Sequence, residues 1–414
     1  MNWTRRLSVC VWLATPACTS GTINAATASD PGPGGLAGDV TQASDTGLGD
    51  PGGVGDPNPT IITPNPDLAA LGDNTALDLG SYGCRDRVSE EALHCELITD
   101  YSRLNYDPYQ HRVLLFGGGH AATGRTDVDV LNLETLAWSS LYPSMTCDEV
   151  AANNIDPRGF HVATGHPAAR HTYDQSVIVE LGGVGRLLLM STEGFAGYCH
   201  QYNAPMNGIP SLSLAAGNIT WAYGAEFAAP WSYADAAEFD PVSGMVIMIG
   251  STINAGEGGM WIFNPETSAV VTFVDSVGYF GLSANLVYYP PNGNMYLFAA
   301  GQNDVREVVL DRSDWSRTTS TLLTVTGDVP ASPTGFAYDS QNQVIGGGIN
   351  NNRFYTFDPI ARAWQSELMV VASNGATPGV VLFHVLDYDV LDNVYIFIAD
   401  GSDGRRTWAY RYRR

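Results

Sequence analysis

The sequence predicts an all-β fold, a β-propeller of six blades, on three observations. An aromatic–Asp dipeptide recurs along the chain, each copy stands just ahead of an apolar run, and the later copies keep an even spacing. The pairs are Tyr106-Asp107, Tyr173-Asp174, Phe239-Asp240, Tyr338-Asp339 and Tyr388-Asp389, with Tyr289-Pro290 as a degenerate copy. The steps between them are 67, 66, 50, 49 and 50 residues. A repeat of roughly 50 residues built from short apolar segments is the length of one blade.

Blade one shows the parts in order. Tyr106-Asp107 leads into the turn Pro108-Tyr109-Gln110-His111, then the run Val113-Leu114-Leu115-Phe116 and the glycines 117–119. The segment Val128 to Leu133 alternates in polarity, and a Glu134-Thr135 turn leads to Leu136-Ala137-Trp138. This reads as four short antiparallel strands joined by tight turns. The glycines mark a sharp turn or a close backbone approach. Each pair's Asp is expected to bond turn amides. Trp138, Trp221, Trp315 and Trp364 are expected to pack between blades, and His111 to be a solvated turn residue. Blades five and six repeat the pattern through Gly346-Gly347-Gly348 and Trp364, and through Val394 to Ile398 and Trp408.

This arrangement resembles the kelch repeat, whose pattern is an aromatic–Asp pair, an apolar strand ending in two glycines, an apolar–Asp strand and a Trp. Blades one and five carry nearly all of it. Blades three, four and six lack the double glycine, and blade two has its Gly182-Gly183 in a different place. The resemblance covers roughly residues 70–414. It implies the kelch-like propeller fold and little about function, because such propellers host many activities.

Blade six stops after its third strand. The segment Asn74 to Gly80 reads like the fourth strands elsewhere and is predicted to close the ring by pairing with residues 407–413. The propeller therefore spans 73–414. Ahead of it, residues 1–18 read as an export signal of the lipoprotein type, with Arg5-Arg6, an apolar stretch and Cys18 as the lipidated thiol. Residues 19–72, rich in Gly, Pro, Asp and Thr, read as a disordered, flexible tether, extended around Pro57–Pro66. The protein is expected to be exported, either lipid-anchored at a bacterial cell envelope or extracellular.

The formal net charge is −23, with no lysine and with Asp outnumbering Glu 30 to 13. This balance argues against nucleic-acid partners and against membrane contact other than through a lipid anchor. Four further cysteines suggest disulfides in an exported chain, Cys84 with Cys95 and Cys147 with Cys199.

Blade topology assigns loops to faces. Connections between blades share one face with the loops between second and third strands. The insertions 142–169 and 192–210 both belong to it, so Cys147 and Cys199 can meet. His120, His161, His166, His171, His200 and His384 map there too, with Arg125, Arg158 and Arg170. Long loops on a rigid scaffold concentrate function, and His suits proton transfer or metal ligation.

The first expectation is a binding module for a glycan or protein, using this face around blade two, with His161, His166, His200, His384, Arg125 and Arg158 as contacts. The alternative is a polysaccharide lyase acting by β-elimination on a uronic-acid polymer. That chemistry needs a cation on the carboxylate, a base for the C5 proton and an acid for the leaving oxygen. His120, Arg170, His171 and Tyr198 are the candidates. A third reading is a copper radical oxidase resembling galactose oxidase, suggested by Tyr198-Cys199-His200. Facing imidazoles on these loops would suit a zinc or copper ion.

Overall fold

The computed structural model describes residues 62–83, 101–117, 125–146, 148–149, 155–191, 208–215, 219–226, 236–251, 258–275, 284–299, 304–331, 334–372, 376–381, 383–401 and 404–414. They belong to one compact unit, Thr60–Arg414. Six sheets form the six blades of a propeller, antiparallel except where the short edge strands Thr326–Gly327 and Val370–Val371 add in parallel. Blade one runs Leu104–Asp107, Arg112–Phe116, Val128–Asn132 and Ala137–Ser140 from the axis outward. The other inner strands are Ser176–Leu181, Ala236–Asp240, Asn285–Tyr289, Phe336–Asp339 and Leu386–Asp389.

The ring closes as the sequence predicts. The strand Thr75–Ser81 lies antiparallel to Gly404–Arg411, with Ala76 opposite Tyr410 and Ser81 opposite Arg406. Closure starts earlier in the chain than expected, because residues 62–72 are folded rather than part of a tether. Asn65 caps a short helix, Pro66–Ala69, with its side-chain oxygen on the amides of Asp67 and Leu68. Pro66 suits the first turn because it has no N–H to satisfy. Leu68 and Leu71 are buried in the core shared by blades five, six and one.

The aromatic–Asp pairs do two jobs. The carboxylates of Asp107, Asp240, Asp339 and Asp389 accept amides of the turn that follows, from Tyr109, Val242, Gln341 and Leu391. The aromatic partner also reaches back to the Asp of the preceding blade. Tyr106 bonds Asp389, Tyr388 bonds Asp339, and Tyr288 sits beside Asp240; burial, then these carboxylates, raise the phenol pKa values.

Two of the six pairs stand elsewhere in their blades than the spacing predicts. Tyr173-Asp174 precedes the inner strand of blade two instead of ending it. That strand turns at Gly182-Gly183, both left-handed (φ 59° and 77°), joining Leu181 to Val184. A two-residue hairpin of type I′ needs positive φ at both centres, which glycine adopts without a Cβ clash. It replaces the Asp-stabilised turn. In blade four, Tyr289 pairs with Asn294 just as Asp240 pairs with Met245, so the degenerate copy is Tyr288-Tyr289.

His111 is not a solvated turn residue. It is fully buried, its Nε2 lying 3.1 Å from Asp389 and 3.2 Å from Asp392 across the blade one–blade six junction. Burial lowers its pKa, but the two carboxylates outweigh this and lift it to about 9. The imidazolium thus clasps the ring where it closes. Trp138 and Trp364 pack between blades as expected. Trp138 donates to Thr407 of blade six, and Trp364 is buried against Phe298 and Phe336.

Candidate functional site

Inner strands of a propeller are sheet edges, and their free backbone groups must find partners. Here side chains from neighbouring blades supply many of them around the axis. Asp387 accepts the amides of Tyr106 at 2.6 Å and Tyr388 at 2.8 Å. Asn105 donates to Ser176, and Asn285 accepts the amide of Phe336. Asp174, fully buried, accepts the amide of Leu286 at 2.7 Å.

Arg103 lies at the centre of this belt. It pairs with Asp174 at 3.2 Å and Glu238 at 3.0 Å and donates to the carbonyl of Ala237. Burial lifts the Asp174 carboxyl to about 7 and the Asp387 carboxyl to about 6, with Arg103 opposing both shifts. His384 is buried without a hydrogen bond to either ring nitrogen. Burial and then the charge of Arg103 push its pKa down to about 3, so it is neutral at pH 7.

A cavity of about 480 Å³ runs along the axis from this belt and is lined from all six inner strands. Arg103, Glu238 and Asp387 form its polar end. Tyr106, Phe239, Tyr288, Tyr338 and Tyr388 form an aromatic collar. Pro108, Tyr109, Pro241, Pro290 and Val390 belong to the first hairpins of their blades, so the cavity opens on the hairpin face. That is opposite to the face carrying the long insertions. Its size suits a small ligand.

Beyond the belt, Tyr101, Tyr173 and Phe383 each precede an inner strand by three residues, in blades one, two and six. All three have left-handed backbones, with φ of 59°, 42° and 58°. Bulky residues pay about 1–3 kcal/mol for this conformation. Tyr101 packs on Phe383 at 4.1 Å and on Tyr173 at 5.2 Å, and His171 stacks beside both tyrosines.

The expected site residues fall in several places. His120, Tyr198, His200 and all of Cys18, Cys84, Cys95, Cys147 and Cys199 lie outside the described residues. Arg170 is buried and donates to the carbonyls of Ala168, Ser191, Gly208 and Gly159, holding the first insertion against blade two. Arg125 is buried between Asp127 and Asp129. Arg158 is part-exposed and pairs with Asp156 at 2.7 Å. His161 is buried, whereas His166 stacks on Tyr142 at 4.3 Å. His166, Tyr142 and Trp221 line a smaller cleft of about 260 Å³ between blades one and two, and burial lowers the pKa of His166. His171 is buried against Tyr101 and Tyr173, and His384 is buried beside Arg103, so neither lines the cleft of His166.

The segment that follows the first insertion packs closely on blade one. A Cβ on Gly117 would lie 2.4 Å from the carbonyl of Arg170, and its φ is 78°. This is the close approach the glycine run suggests. For a metal ion, the described residues offer one grouping of three ligand atoms within 4.8 Å, His111 with Asp389 and Asp392. There His111 Nε2 hydrogen-bonds Asp389, while Asp392 Oδ2 lies 3.2 Å from the same nitrogen without a hydrogen bond.

No family model matches the chain, and no curated protein matches it. Among solved structures, the chain is similar to a protein of unknown function from Bacteroides thetaiotaomicron. The identity is 12%, the match covers 75% of this chain and 70% of that one, and the TM-score is 0.46. It is similar to a gluconolactonase from Xanthomonas campestris at 11% identity, 75% and 86% coverage and a TM-score of 0.45. It is also similar to an auxiliary nutrient binding protein from Bacteroides ovatus at 10% identity, 84% and 75% coverage and a TM-score of 0.45. The propeller reading rests on the six sheets themselves.

Proposed function

We propose that this protein is a glycan-binding propeller, kelch-like in its repeat, whose ligand enters the axial cavity from the hairpin face. The observation that carries this is the cavity of about 480 Å³ with an aromatic collar over a charged end. Sugars are recognised by such a combination: ring faces stack on aromatics, while hydroxyls bridge carboxylates and a guanidinium. The binding class expected from the sequence is kept, and the site moves from the blade-two loops to the axis. In this reading residues 1–18 export the chain, Cys18 anchors it, and the segment that follows holds the propeller off a membrane surface.

A glycan array on the purified full chain, followed by calorimetry on the best ligand, tests the reading. Tyr288→Ala in the collar should weaken binding about tenfold, as loss of an aromatic anchor does. His166→Ala, in the blade-two cleft, should leave it unchanged. The opposite pattern would return the site to the insertion face.

A further inference from the structure

The charge of the axial cavity is unbalanced. Its lining carries three carboxylates, Glu180, Glu238 and Asp387, against one cation, Arg103. That cation is already committed, to Glu238 and to Asp174 behind it. Asp387 is held by two backbone amides and feels Arg103 only as a nearby charge. Glu180, at the exposed rim, accepts a hydrogen bond from the Tyr109 phenol at 3.1 Å. Tyr106, Phe239, Tyr288, Tyr338 and Tyr388, from five blades, line the same cavity.

Resting on the binding reading above, we infer that the ligand is a small polyol bearing an ammonium group, an amino sugar in chemical class. An ammonium among ring faces gains cation–π attraction, and a carboxylate with no directly paired cation, Asp387 or Glu180, supplies its counter-charge. A neutral sugar would leave the excess negative charge unpaired. A uronate would add a fourth carboxylate to the cavity. The chain's net charge of −23 acts in the same direction by drawing cations toward the surface.

The test is calorimetry on the full chain at low salt with glucosamine, glucose, N-acetylglucosamine and glucuronate. Glucosamine should bind on the order of tenfold tighter than glucose or N-acetylglucosamine, with glucuronate weakest. Glu180→Gln, at an exposed position, and Asp387→Asn should each narrow the preference for glucosamine over glucose severalfold. Equal affinity for glucosamine and glucose would overturn the ammonium inference while leaving the binding reading intact. No heat with glucosamine while the glycan array gives a ligand would also overturn the inference; no heat with any of the four and a blank array would remove the binding reading with it.

Discussion

Replacing His111 by glutamine should remove a pH-dependent clasp from the ring closure. The imidazole is buried against Asp389 and Asp392, with the Tyr106 phenol also on Asp389 and Arg411 donating to the Asp392 carbonyl. Its folded pKa of about 9 stands above the 6.5 of an ordinary histidine. Because the folded value is raised, the stabilisation is fully present below pH 6.5 and is lost as pH rises through 9. Each tenfold gain in proton affinity on folding corresponds to about 1.4 kcal/mol, so the clasp contributes roughly 3 kcal/mol at the acid end of this window. With about 0.7 kcal/mol per kelvin of unfolding entropy for a unit of this length, that is a Tm change of roughly 4–5 °C. Thermal unfolding from pH 6 to 9.5 should show the wild-type Tm falling by this much relative to His111→Gln. The variant should also be less stable at pH 6 by about 3 kcal/mol, because two buried carboxylates lose their counter-charge. Parallel curves for the two proteins would refute the clasp.

Three further outcomes follow from packing. Gly117→Ala should destabilise by more than about 2 kcal/mol in urea unfolding, since its Cβ would meet the Arg170 carbonyl at 2.4 Å on a left-handed backbone. Asp174→Ala should cost about 3 kcal/mol, because it leaves Arg103 half-paired and the Leu286 amide without its acceptor. A chain beginning at residue 73 should be less stable than one beginning at residue 62 by about 4–6 kcal/mol, from the lost burial of Leu68 and Leu71 and the bonds of Asn65. A difference within about 1 kcal/mol would mean that the docked helix contributes nothing.

The fold was legible because its signals are local. An Asp that bonds the amide two residues on leaves its mark in four residues of sequence, and the closing strand repeats the pattern of its equivalents. Blade two misled because a Gly-Gly hairpin does the work of the Asp turn, while Tyr173-Asp174 imitates the pair by chance. The axial site was harder to read. Arg103, Asp174, Glu238 and Asp387 meet only through ring closure, and no local spacing joins them. One signal was present: Glu238 and Asp387 each stand directly ahead of an aromatic–Asp pair, where an acidic side chain on an inner strand must face the channel. His111 shows the same limit, since a histidine in a polar turn looks solvated until the neighbouring blade covers it.

The most direct measurement is a crystal structure of the propeller soaked with the tightest glycan found on the array. The account predicts ligand density in the axial cavity, with a sugar ring against the collar of Tyr288, Tyr338 and Tyr388 and polar contacts to Arg103 and Asp387. Density on the insertion face beside His166 and Tyr142, with the axial cavity holding only water, would contradict it.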